Sequence, residues 1–113
     1  MNNVIEIHRP HELSFNADEH AGRELIYQFN LSKNDNVLSG MPIDVAERVF
    51  HILNAPEDML SEVETEIAND FRASGNYSLS TGDIVKVDEE YFLCQPVGWK
   101  KIENPIYPLI NHA

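Results

Sequence analysis

Three histidines near the N-terminal end of the chain, His8, His11 and His20, stand among Glu12, Asp18 and Glu19, residue types that could hold a metal ion. The spacing His8-x-x-His11 occurs in zinc sites, but zinc takes three or four converging ligands, and Cys94, the only cysteine, is remote in sequence. The stretch reads instead as a histidine-rich surface loop. Cys94 with a distant His and Asp is a second candidate, for nucleophilic chemistry. A reactive thiolate needs a helix N-terminus or a neighbouring cation. Cys94 follows Phe92-Leu93 in a β-type run and is expected to pack as a small hydrophobe. Ser78-Leu79-Ser80-Thr81-Gly82-Asp83 offers hydroxyls and a glycine, but neither the glycine density nor the lysine of a phosphate cradle. Its expected work is local: Gly82 opens a turn conformation, and the hydroxyls or Asp83 bond nearby backbone N–H groups. These patterns predict no catalytic residue, no metal and no cofactor.

The acidic residues carry the sharper expectation. Glu57, Asp58, Glu62, Glu64, Glu66 and Asp70 fall in the segment Pro56–Phe71, which has no basic residue. On a helix, neighbours at i and i+4 lie about 5–6 Å apart at Cβ, so Glu62, Glu66 and Asp70 would form one line of charge, widened by Glu57, Asp58 and Glu64. Such like-charge pairs cost an isolated helix a few tenths of a kcal/mol each. A sequence that accepts this cost can present a phosphate-like row to a nucleic-acid-binding protein; the alternative is an ordinary solvated helix face. The whole chain leans the same way, with 19 acidic against 8 basic side chains and a net charge of −11. That charge disfavours direct binding to nucleic acid or to an anionic membrane, and it steers the protein toward a basic partner.

The elements that would position these residues are short. A length of 113 residues with 42% hydrophobic side chains fits one soluble domain, 1–113, with a sizeable core. No apolar run approaches the roughly 20 residues of a membrane-spanning helix. MNNVIEIHRP lacks the basic and apolar regions of a secretion signal, and a lone cysteine agrees with a reducing, cytoplasmic setting. Val4–Ile7 and Glu24–Leu31 read as strands, the second placing Leu25, Tyr27, Phe29 and Leu31 on one face. Residues 10–22 read as a loop. Asp44 begins a helix through Asn54, with Asp44 and Glu47 at capping-box spacing and an apolar stripe of Val45, Val49, Ile52 and Leu53. A second helix runs from Pro56 to Phe71, with Met59, Leu60, Val63, Ile67 and Phe71 inward. A β-meander follows at Asp83–Val87, Tyr91–Gln95 and Val97–Ile102, and then an extended tail, Glu103–Ala113.

Several of these segments match a known pattern in order. Ile26-Tyr27-Gln28 opens it. Val49-Phe50 and Asn54-Ala55-Pro56-Glu57-Asp58 stand in its middle. Ser78-Leu79-Ser80-Thr81-Gly82-Asp83-Ile84-Val85, Tyr91, Cys94 and Gly98-Trp99-Lys100-Lys101-Ile102 close it. In these residues the chain resembles the YodL-like domain of bacterial, phage and mobile-element proteins, over roughly residues 24–102. Glu62–Asp70 reads as an insertion, and Trp99 stands where phenylalanine is common. The resemblance implies a mobile-element or host-conflict setting and a protein-binding role, and it supplies no enzyme activity.

The expected fold is therefore α+β, a small antiparallel sheet with a C-terminal β-meander packed by two helices. The leading functional expectation is a non-enzymatic acidic protein that inhibits a host protein, such as a nucleic-acid-handling defence component, through Glu57, Asp58, Glu62, Glu64, Glu66 and Asp70. The alternative is a regulatory or structural binding module acting through an aromatic-hydrophobic surface around Trp99, with Tyr77, Tyr91 and Tyr107 as further aromatics. These rings also suit core filling. A small hydrolase or metal enzyme using the histidines is the third class.

Overall fold

The N-terminal strand lies inside the sheet, next to its edge. In the computed structural model, which describes residues 2–10, 22–32, 41–76 and 78–103, β1 (Asn2–Pro10) is flanked by β2 (Arg23–Ser32) and β3 (Ile84–Val87). Beyond β3 come β4 (Glu90–Cys94) and β5 (Trp99–Ile102), giving the order β2-β1-β3-β4-β5. Every neighbouring pair is antiparallel. Two helices, α1 (Pro42–Asn54) and α2 (Glu62–Ala73), complete the α+β architecture that the sequence predicts. The expected loop over residues 10–22 and the expected tail fall largely outside the described residues.

Alternation along the strands decides which face is covered. Ile5 and Ile7 of β1, Leu31 of β2, Val85 and Val87 of β3 and Phe92 of β4 join α1 and α2 in one buried cluster. Residues of the opposite parity turn to the reverse face, where Ile84, Leu93 and Ile102 form a smaller cluster with Tyr91 packed against it. Across the helical layer, α2 reaches the β2 side through a Tyr27–Phe71 ring contact of 5.2 Å. On the β5 side, α1 meets the sheet through a Phe50–Trp99 contact of 6.1 Å.

The β1–β2 ladder carries a bulge that the sequence did not betray. Ile7 pairs with Tyr27, but His8 pairs with Leu25, leaving Ile26 as the extra residue. An extra residue resets the period of two. Tyr27 and Phe29 therefore pack toward the helices, while Leu25, expected on their face, is 43% exposed.

Helix α1 begins two residues before the expected Asp44. Pro42 occupies the first turn and the N-cap is Met41, whose side chain makes no cap bond. Proline there has a preset φ and lacks an N–H that would otherwise need a partner. Val45, Ala46, Val49, Ile52 and Leu53 are buried, and Ala55-Pro56 ends the helix. Asn54 then grips the segment ahead of β3. Its amide donates to the Leu79 carbonyl at 3.0 Å and accepts the Leu79 N–H at 2.8 Å.

The second helix is not continuous from Pro56. The chain makes one 3-10 turn at Glu57–Met59 and restarts at Glu62. Ser61 is the cause. Its hydroxyl accepts the Glu64 N–H at 3.2 Å, and the Glu64 carboxylate accepts the Ser61 N–H at 2.9 Å. This reciprocal capping box satisfies two backbone donors and fixes the phase of the helix. Glu64, Ala68 and Phe71 face inward, so Val63 turns out at 52% exposure and Met59 stands 61% exposed. Of the predicted inward stripe, Ile67 and Phe71 reach the core. Ser61→Ala is expected to cost about 1 kcal/mol. A thermal melt should show this as a fall of roughly 4 °C.

The turn at Ser78–Asp83 does the local work expected of it, and more. Gly82 adopts φ 98°, and the Asp83 carboxylate accepts the Ser80 N–H at 2.8 Å. Two arginines from the first hairpin then clamp it. Arg9 donates to both Asp83 oxygens, at 3.0 and 2.8 Å, and also to the Ser78 carbonyl. Arg23, 1% exposed, donates through Nε to the Gly82 carbonyl at 2.9 Å.

Candidate interaction surfaces

The outer face of α2 keeps part of the predicted acidic row. Glu62, Glu66 and Asp70 are all exposed and succeed one another at i and i+4. Their spacing along the axis is about 6 Å per step. None of the three forms an ion pair with a described residue, and Asp70 accepts the Tyr27 hydroxyl at 2.7 Å. Burial first, and then the Asp70 carboxylate, push the Tyr27 phenol well above its ordinary range, so it stays a hydrogen-bond donor. Met59 and Val63 add exposed apolar surface beside the acids.

The predicted six-carboxylate rod is corrected in two ways. Glu57 and Asp58 belong to the preceding 3-10 turn rather than to α2, because the Ser61 cap interrupts the helix. Asp58 remains exposed. Glu64 is removed from the surface altogether, at 2% exposure, where it forms an ion pair with Arg48 of α1. Burial would raise its carboxyl pKa, but the Ser61 N–H and the Arg48 guanidinium outweigh that and hold it below the usual value. Glu64 joins the helices and cannot also meet a partner.

A second surface lies at the other side of the helical layer. A pocket of about 190 Å³ opens between α1 and the β4–β5 turn, walled by Glu47, Phe50, Cys94 and Trp99 with Pro96 and Gly98 of the turn. Glu47, expected as a capping residue, instead accepts the Trp99 indole N–H at 2.7 Å. The Phe50 and Trp99 ring planes stand at 88°. Val97, at the tip of the turn, is 90% exposed. Cys94 is 4% exposed, and burial pushes its thiol up to about 11, with the charges on Asp83 and Glu47 adding to the effect. This environment opposes an activated thiolate and suits the predicted packing role.

The histidine expectation is tested at one residue. His8 lies on the reverse face of the sheet, its Nε2 2.9 Å from Glu6 Oε1. His11, His20, Glu12, Asp18 and Glu19 lie outside the described residues, as do Tyr77 and Tyr107. Among the described residues, no three His, Cys, Asp or Glu side chains converge to hold a metal ion. Trp99 packs against the main cluster and Tyr91 against the smaller one, so both fill core as well as surface.

No family model, curated protein or solved structure matches the chain. The likeness to YodL-like domains rests on the sequence segments alone. Among the described residues, no helix is long and apolar enough to cross a membrane.

Proposed function

We propose that this protein is a non-enzymatic, cytoplasmic interaction protein that docks the outer face of α2 onto a basic surface of a protein partner. The observation that carries the reading is the exposed row Glu62, Glu66 and Asp70, which forms no ion pair with a described residue, on a chain of net charge −11. One DNA strand carries a charge about every 3.4 Å of axis, so a row stepping about 6 Å has roughly half that density. The face is thus an acidic docking strip rather than a full copy of a duplex. Exposed Met59 and Val63 beside it favour a partner groove with apolar as well as basic contacts. A nucleic-acid-handling protein has such a groove, and an acidic occupant would inhibit it. The resemblance to YodL-like domains supports a mobile-element setting, where a host defence component is the natural target.

Asp58, Glu62 and Glu66 make no described side-chain bonds, so replacing them with lysine tests the face with little cost to the fold. Each reversal moves the net charge of −11 by two units. Affinity capture from a bacterial lysate should recover basic, nucleic-acid-binding proteins at low salt and lose them at high salt. The triple lysine variant should bind at least about tenfold more weakly with an unchanged thermal midpoint. Capture indifferent to both salt and the three reversals would overturn the reading. It would favour the alternative, binding through the Trp99 surface, for which Trp99→Ala would be the deciding variant.

A further inference from the structure

We propose that the pocket between α1 and the β4–β5 turn receives a lysine side chain of a protein partner. This site lies at the β5 side of the helical layer, away from the acidic strip beside β2, and does not depend on the function proposed for that strip. Three observations converge on a cation. Phe50 and Trp99 both line the pocket, in edge-to-face contact with their planes at 88°, and an aromatic face open to the pocket attracts an ammonium group through the ring quadrupole. Glu47 supplies a carboxylate at the same corner, and only its Oε2 is engaged, by the Trp99 indole. Among the described residues no basic side chain walls the pocket, and Lys101, which shares the inward face of β5 with Trp99, is drawn 2.7 Å onto Glu90 instead. Cys94, which also lines the pocket, has its thiol pushed up by burial and then by the charges on Asp83 and Glu47, in keeping with a negative local field.

The acceptor geometry selects the kind of cation. Guanidinium favours a two-oxygen fork, whereas an ammonium is a compact point charge that one oxygen can serve. With Oε2 already accepting from Trp99, only Oε1 is wholly free, which suits the one-point contact of lysine better than the two-oxygen fork of arginine. The space suffices: about 190 Å³ is several times the roughly 30 Å³ that a liquid water takes up. Val97, 90% exposed on the turn whose Pro96 and Gly98 line the pocket, offers an apolar contact to the stem of the incoming residue.

Trp99 is the only tryptophan, so its indole N–H is a single, resolved resonance seated on the Glu47 carboxylate. The test is a two-dimensional proton–nitrogen NMR titration of the full chain with Nα-acetyl-lysine methylamide. Parallel titrations use the arginine analogue and the uncharged norleucine analogue. The lysine compound should move the indole signal saturably, with a Kd on the order of 1–10 mM. The arginine compound should bind more weakly and the norleucine compound should leave the signal in place. Glu47→Gln keeps an acceptor for the indole, so the fold should survive, but lysine affinity should fall about tenfold. Phe50→Leu is the second variant and should weaken lysine binding severalfold while retaining the Trp99–Glu47 bond. An indole signal that ignores lysine, follows norleucine equally, or responds alike in Glu47→Gln would overturn the proposal.

Discussion

Asp83→Ala is expected to lower the stability of the fold by about 3–5 kcal/mol, the largest loss from any single charged side chain here. The carboxylate is 1% exposed and accepts three donors, two from Arg9 and one from the Ser80 backbone. Alanine strips the counter-ion from an Arg9 side chain that is itself only 16% exposed and leaves the Ser80 N–H without its acceptor. Uncompensated charge in such a place costs far more than the pair gains when intact. Against a typical domain stability of about 5–15 kcal/mol the loss is a large fraction. Urea unfolding should show a much lower midpoint with an unchanged slope. Asp83→Asn retains one acceptor and should fall between the two. A loss under about 1 kcal/mol would mean that Arg9 regains water at little cost.

Glu64→Ala is expected to cost about 2–4 kcal/mol, since it breaks the Arg48 pair and half of the capping box together. Arg48 already has a buried Nε with no partner among the described residues, so it has little left to bond when Glu64 goes. The same pairing gives the contribution a pH signature. Burial opposes ionisation, but the Ser61 N–H and Arg48 prevail, and the folded-state pKa of Glu64 lies below its unfolded value. A depressed carboxylate contributes fully above the unfolded pKa of about 4.3 and loses that contribution as pH falls through the folded value. The stability gap between the native chain and Glu64→Gln should therefore be wide at neutral pH and close on acidification below about pH 4.3. Chemical unfolding across that range measures it, and a gap that is flat with pH would contradict the assignment.

What the sequence made legible follows from the range of the interactions involved. The meander at Ile84–Val87, Glu90–Cys94 and Trp99–Ile102 was readable because its alternation and its turns are local. Gly82 and the Asp83 side chain were readable for the same reason. The Ser61-x-x-Glu64 cap was local too, yet the acidic and apolar residues on both sides suggested one uninterrupted helix. That cap separates Glu57 and Asp58 from α2 and turns Met59 and Val63 outward. Other features depend on partners that sequence order hides. Ile26 is a bulge only because His8 pairs with Leu25. Glu64 is buried only because Arg48 sits on the neighbouring helix, and the Arg9–Asp83 clamp joins residues 74 positions apart. The spacing from Asp44 marks Glu47 as a capping residue, and nothing near it in the chain announces Trp99.

The placement of β1 between β2 and β3 has a consequence for biosynthesis. Of the five strands this one is made first, but the partner for its second edge, with Val87 against Ile5 and Val85 against Ile7, follows only after β2 and both helices. A nascent β1–β2 hairpin must wait with Ile5 and Ile7 uncovered while both helices emerge. Pairing of that kind closes a very long loop and is slow. The interval of vulnerability to aggregation therefore falls before β3 docks, while the inner edge of β1 still lacks its partner.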